Sequence, residues 1–333
     1  MKAVLMTAAG GPEVLQFREV PDPEFHGAFD VLVRIRAAGV NPVDTKVRRN
    51  PTYYPENVPA ILGCDGAGIV EAVGRSVTRF RPGDEVYYFN NGLGGAPGNY
   101  AQYAVVHEDF LAPKPGNLSM AEAAALPLVV ITAWEALVDR ARLDTGHSVL
   151  IHAGAGGVGH VAIQIARHFG AFVATTVSGP EKAAFVKSLG AELAIDYRSE
   201  DFVDEVLHWT NGVGVKTVLD TVGGLAFCKS FGATRVYGSV VTILSTSCDM
   251  ESINVARVRN LNICYVQMPA PLYLGLRNGR MHQTRILEQA RDLVEAGALK
   301  PRIGQVLPLK DAAEAHRILE EGHAVGKIVL EVP

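Results

Sequence analysis

The sequence predicts an α/β protein in two parts, a β-rich domain and a doubly wound parallel sheet covered by helices. Three observations carry this. Through residue 125 the chain holds short β-branched and aromatic runs separated by Gly/Pro turns, the pattern of a small barrel. From about residue 120 apolar strands alternate with helical segments, the pattern of a parallel sheet with both faces covered. The end, KIVLEV (327–332), is again a strand and is free to return to the first part. A length of 333 residues suits about two domains. The expected division is 1–125 completed by 266–333, with 126–265 as the second domain.

In chain order, VLVRIRAAGV (31–40), AGIVEAVG (67–74), EVYYF (85–89) and YAQYAVV (100–106) read as strands, and NNGLGGAPGN (90–99) as a surface loop. MAEAAALPLVVITAWEALVDRA (120–141) reads as helical with a break at Pro127. SVLIHAG (148–154) is a buried strand, and GHVAIQIARHFG (159–170) an amphipathic helix stopped by glycine. FVATTVS (172–178), LAIDY (193–197), VKTVLDTVG (215–223) and RVYGSVVTILS (235–245) are further strands. EKAAFVKSLG (181–190), DFVDEVLHWTNG (201–212) and RILEQARDLVEAG (285–297) are helices.

A net charge of −4 gives no electrostatic footprint for nucleic acid or an anionic membrane. No stretch reaches the roughly 18 uninterrupted apolar residues of a membrane span, and the start lacks the long apolar run of a signal peptide. A cytoplasmic protein is expected. Cys64, Cys228, Cys248 and Cys264 are far apart with no CxxC pair, so four reduced thiols are expected.

The strongest motif is SVLIHAGAGGVGHVAIQIA (148–166), in which Gly154, Gly156 and Gly159 form G-x-G-x-x-G between an apolar strand and a helix. Gly154 permits the tight turn, Gly156 lets backbone approach a pyrophosphate, and Gly159 allows close helix–strand packing. Gly157 adds freedom to the loop, and the N–H groups at Gly157 and Val158 open the helix toward phosphate. A nicotinamide dinucleotide is therefore the expected cofactor. The next strand ends on Val177 and Ser178 without the acid that an NAD site places there. Ser178 and Lys182 suit a 2′-phosphate, Glu181 beside them opposes it, and Tyr197 lies at the end of the following strand. NADPH is favoured.

MKAVLMTAAGGPEVLQFREVPDP, GVNPVDTKVR (39–48), GCDGAGIVEAVG (63–74), the glycine fingerprint and GKIVL (326–330) together resemble the quinone oxidoreductase and zeta-crystallin branch of the medium-chain dehydrogenases/reductases, over essentially the whole chain. The resemblance implies a GroES-like catalytic domain from the two chain ends, a Rossmann domain inserted between them, substrate in the cleft, and a homodimer formed by continuing the Rossmann sheet. RVYGSVVTIL (235–244) is the β-branched stretch suited to that edge.

Zinc-dependent relatives carry Cys where this chain has Asn41, Gly-His-Glu where it has Gly63-Cys64-Asp65, and a further ligand near Leu128. Too few donors remain here for the three protein ligands of catalytic zinc, so no metal is expected. The resemblance then implies NADPH-dependent hydride transfer to a quinone, or to a conjugated enone or enal; a non-catalytic NADPH-binding role is the third reading. Among candidate catalytic residues, Asn41 and Asp44 match the family's N-x-x-D pattern, with Asn41 near the nicotinamide and Asp44 orienting its neighbours. Lys46 stands where many relatives have tyrosine, and Tyr54 sits in the loop that follows. Thr132, Leu244, Ser245 and Lys327 are the remaining candidates for cofactor contact. His152 and His160 read as packing residues.

Overall fold

The computed structural model describes residues 1–25, 27–322 and 325–333. They form two compact units, Met1–Leu128 with Pro269–Pro333, and Val129–Met268.

The first unit opens with β1 (Lys2–Met6) paired antiparallel to β2 (Leu15–Glu19), and β3 (Asp30–Val40) leads into α1 (Pro42–Arg49). β4 (Ala60–Ile61), β5 (Asp65–Val73), β6 (Glu85–Phe89), β7 (Tyr103–His107) and β8 (Ala112–Pro113) follow, then α2 (Met120–Ala124) and α3 (Pro127–Trp134). Pro127 starts α3 instead of interrupting a longer helix, because its missing N–H is harmless at a first helical position. The strands of the first half lie where their alternation predicts: Val31, Val33 and Ile35 are buried on one face of β3 while Leu32 and Arg34 face outward.

The second unit runs β9 (Ser148–Ile151), α4 (Gly157–His168), β10 (Phe172–Val177), α5 (Pro180–Ser188), β11 (Leu193–Asp196), α6 (Phe202–Trp209), β12 (Val215–Asp220), α7 (Gly224–Ala233), β13 (Thr234–Thr242), α8 (Met250–Val258) and β14 (Asn262–Tyr265). Every pairing in its sheet is parallel, in the order β11-β10-β9-β12-β13-β14. This is the doubly wound order of a Rossmann domain, whose strand sequence reverses between β9 and β12. Leu150, Val218, Val240 and Ile195 pack against Phe202, Phe227 and Phe231 from the helices.

The chain then returns to the first unit with α9 (Ala270–Tyr273), α10 (Arg277–Glu295), β15 (Ile303–Pro308), α11 (Ala312–Glu321) and β16 (Lys327–Glu331). β16 pairs antiparallel with β3, giving the sheet order β15-β16-β3-β5-β6-β8 with β7 also on β3. The closing strand thus completes the first domain. Register brings four strand ends together: Gly39 opposes Asp65, Asp65 opposes Phe89, and Val40 opposes Ile328.

Two expectations are corrected. The stretch 235–244 is not a sheet edge, because β14 pairs along its outer side; NICY (262–265) is too short to announce itself by alternation. Cys228 and Cys248 are not free thiols but form a disulfide. Cys228 lies on α7 and Cys248 follows β13, and the crossover folds the two against each other. Cys64 and Cys264 remain free. No helix among the described residues is long and apolar enough to cross a membrane.

Candidate active site

In the first unit, a polar cluster is buried where β3, β5 and β16 meet. Asn41 caps α1, which fixes it directly beyond the last residue of β3. Asp44 reaches back so that its Oδ2 accepts the Asn41 N–H at 2.8 Å. Asn41 Nδ2 donates to Asp65 Oδ2 at 2.8 Å, and Leu128 N–H donates to Asp65 Oδ1 at 2.8 Å. Lys327 Nζ donates to Asn41 Oδ1 and, at 3.1 Å, to the Val40 carbonyl; it lies 3.6 Å from Asp65. Asn41, Asp44, Asp65 and Lys327 are all buried. Burial pushes the Asp65 carboxyl up and the Lys327 ammonium down, and each opposes the shift of the other.

Asp44 is the head of a second chain of contacts. Burial raises its pKa to about 7, and the neighbouring Asp65 charge pushes the same way. Tyr100 Oη donates to Asp44 Oδ2 at 3.1 Å and meets His316 Nε2 at 3.2 Å. The Arg48 guanidinium, which can only donate, meets His316 Nδ1 at 3.4 Å. His316 therefore carries its proton on Nε2 and donates to Tyr100. It stays neutral, because burial and Arg48 push its pKa down to about 3. Arg48 closes the chain on Glu320 at 2.6 Å.

This donor set does not suit zinc. The positions matching the metal ligands of relatives hold Asn41, Cys64 and Leu128, burial raises the Cys64 thiol well above its ordinary range, and an ammonium sits against Asn41 and Asp65. Among the described residues no group of three or more His, Cys, Asp or Glu converges to hold an ion.

In the second unit, the three fingerprint glycines are required for different reasons. The left-handed residue of the turn is Ala153, at φ +51°. A Cβ on Gly154 would lie 2.1 Å from Thr175 Oγ1, and one on Gly159 would lie 2.3 Å from the Ala153 carbonyl. A Cβ on Gly156 would meet only the Ala153 carbonyl, at 3.1 Å. The space above Gly156 is open, and it lies at the N-terminus of the twelve-residue helix α4, where Gly157 and Val158 present N–H groups without helical partners. That fits a phosphate group. Thr176 Oγ1 accepts the Ala153 N–H at 3.0 Å and touches His152 Nδ1, while His152 Nε2 meets Ser230 Oγ at 2.9 Å. His152 therefore supports the turn, and burial holds it neutral, with a pKa pushed down to about 4.

Beyond the strand ends lies a cavity of about 360 Å³ lined by Ala153, Thr176, Tyr197, Val222 and Leu225, among others. On its rim Lys229 pairs with Asp201. Lys182 Nζ donates to Ser178 Oγ at 3.1 Å, and Asp196, at the end of β11, is committed to the Gly179 N–H.

Residues 27–116 match the family described as alcohol dehydrogenase GroES-like domain, and residues 189–330 the one described as zinc-binding dehydrogenase. The chain is 34% identical to the quinone oxidoreductase of Pseudomonas aeruginosa, with 99% of both chains covered. It belongs to the quinone oxidoreductase family of the medium-chain dehydrogenases/reductases. A second relative is the 2-methylene-furan-3-one reductase of Solanum lycopersicum, at 35% identity over 99% of this chain and 79% of that one. Among solved structures, an NAD-dependent alcohol dehydrogenase aligns with TM-score 0.90 and 37% identity, covering both chains completely. A mycobacterial protein complexed with NADPH aligns with TM-score 0.86 and 30% identity over 99% of this chain and 100% of the other. As an NAD(P)-dependent oxidoreductase of this family, the chain carries its nucleotide fingerprint in the second unit and its buried polar cluster in the first.

The structure brings together Asn41, Asp44 and Lys327. It leaves Lys46 exposed on the outer face of α1. Tyr54 packs edge-on to Tyr273 and lies over Gly95. Lys327, expected beside the cofactor, has its ammonium committed to Val40, Asn41 and Asp65. Gly154, Gly156, Gly157, Val158 and Gly159 form one turn, Ser178 and Lys182 touch, and Tyr197 is on the cavity wall. Thr132 is buried in α3, and Leu244 and Ser245 follow the end of β13. Tyr100, His316 and Arg48 escaped the sequence reading. Their partners lie 56, 216 and 268 residues away in the chain, so no local pattern marks them.

Proposed function

We propose that the chain is a metal-independent NADPH:quinone oxidoreductase. The observation that carries this is the pairing of an open glycine turn for a pyrophosphate with a buried Asn41–Asp65–Lys327 cluster beside which the relatives' ligand positions hold Asn41, Cys64 and Leu128. Bound NADPH supplies the hydride, and the protein supplies binding and geometry. The turn at Gly156 and the start of α4 hold the pyrophosphate, and the cavity beside Tyr197 and Val222 takes the adenosine. Ser178 and Lys182 take the 2′-phosphate, while Thr132, Leu244 and Ser245 border the nicotinamide. A quinone needs little electrophilic assistance, because its own conjugation spreads the incoming charge.

A second reading, reduction of a conjugated enone, is favoured by the likeness to the tomato furanone reductase. Following NADPH absorbance against simple quinones and short enones, with and without a chelator, separates them. Quinone turnover insensitive to chelation supports the first reading, and turnover of enones alone moves the assignment to the second. Tight NADPH binding with no turnover of any acceptor favours a binding role.

Cofactor choice gives a separate expectation. Lys182→Ala raises KM for NADPH about tenfold, which is about 1.4 kcal/mol, and leaves KM for NADH within twofold. Equal changes for both cofactors remove Lys182 from the site.

The homodimer belongs to this reading and moves to β14, an edge strand of the Rossmann sheet. Tyr237, Val258 and Tyr265 near that edge are 71%, 78% and 58% exposed, an apolar surface that sheet pairing would cover. A monomeric mass at micromolar concentration sinks this assembly.

A further inference from the structure

Arg280, near the start of α10, is a half-buried cation without a counter-charge. Its guanidinium lies 3.5 Å over the Phe110 ring, and its Nη2 donates to Asn90 Oδ1. No carboxylate among the described residues pairs with it, although nearby arginines are paired: Arg277 with Asp109, and Arg79 with Glu288. Burial alone pulls its pKa down to about 10. A desolvated charge of this kind costs free energy unless something answers it.

The position is not incidental. Asn90 directly follows β6, and its N–H donates to the Cys64 carbonyl at 2.8 Å. Asn99 Nδ2 donates to both the Gly63 and the Asn90 carbonyls, which holds this corner still. Cys64 in turn contacts Asp44. Arg280 is thus linked to the buried cluster through Asn90 and Cys64. Asn90 and Phe110 engage its planar fork through one N–H and one face. Guanidinium in that state matches the two oxygens of a carboxylate or sulfonate.

We propose that Arg280 is an anion-recognition residue that selects quinone-type acceptors bearing an acidic substituent. This deepens the quinone reductase reading and rests on it. Arg280 binds the substituent before any chemistry, so its contribution falls on acceptor affinity and not on the rate of the bound complex.

The test uses two probes of similar ring size, neutral 1,4-naphthoquinone and anionic 1,2-naphthoquinone-4-sulfonate. Calorimetric binding is measured first, on the full-length protein, and turnover second. Arg280→Gln keeps a polar group beside Asn90 and removes the charge. Arg280→Lys keeps the charge and loses the fork. The expected result is that Arg280→Gln weakens binding of the sulfonate at least tenfold, leaves the neutral quinone within twofold, and that Arg280→Lys recovers part of the loss. Equal changes for both probes, or a wild-type protein that binds the sulfonate no better than the neutral quinone, overturn the proposal. Unfolding of Arg280→Gln is detected by circular dichroism, and the Arg280→Lys comparison then decides: a sulfonate-selective loss supports the proposal, and an unselective one overturns it. If the wild-type protein binds the sulfonate selectively through Arg280 but reduces neither probe, the anion site stands and the quinone reductase reading fails.

Discussion

Gly156→Thr is expected to keep the melting temperature of the wild-type protein within about 2 °C while weakening NADPH binding at least 100-fold, about 2.7 kcal/mol. Gly156 has extended backbone angles, φ −78° and ψ 178°, that any residue adopts, and it is the N-cap of α4. Threonine is as good an N-cap as glycine. The added Cβ meets only the Ala153 carbonyl, at 3.1 Å, and otherwise points into open space. That space is the one assigned to the pyrophosphate. Gly159→Thr provides the contrast. Its Cβ would lie 2.3 Å from the Ala153 carbonyl and 2.7 Å from Gly154 Cα, and neither backbone atom can yield without opening the turn. A loss of about 3 kcal/mol or more is expected there, with binding lost as a consequence. Thermal melting and fluorescence titration on both variants are sufficient. If Gly156→Thr binds NADPH as the wild type does, the pyrophosphate is not at this turn.

Lys327→Met is expected to destabilise the protein by about 3–5 kcal/mol, because it leaves Asp65 as a buried charge without its ion pair. Asp65 is fully buried and keeps only the Asn41 amide and the Leu128 N–H. Asp65→Asn alone strands the Lys327 ammonium in the same way. The double substitution removes both charges, and its loss is expected to be smaller than the sum of the two single losses. Urea unfolding of the four proteins gives the cycle. A loss below about 1 kcal/mol in Lys327→Met, together with a raised KM for NADPH, would instead make Lys327 the cofactor contact that its closing motif suggests.

Much of the fold is legible locally. In β3 the alternation of Val31, Val33 and Ile35 with Leu32 and Arg34 marks a half-buried strand, and continuous apolar runs such as SVLI in β9 mark a strand covered on both faces. Helix α7 and strand β14 are not announced: α7 lacks a strong apolar stripe, and β14 has four residues. Both are stabilised by what they pack on, not by their own pattern.

The sequence by itself determined the glycine turn, because the turn, its strand and its helix are contiguous. It also determined the family, through motifs spread over the whole chain. Only the tertiary structure decided the arrangement of the buried cluster. Asn41, Asp65, Tyr100, His316 and Lys327 come from five separate segments, and the charge states of the four ionisable ones depend on burial that no window of sequence reports. The same holds for Arg280. An arginine on a helix is ordinarily a solvated surface residue, and only the fold places this one over Phe110 and against Asn90 with no carboxylate partner among the described residues.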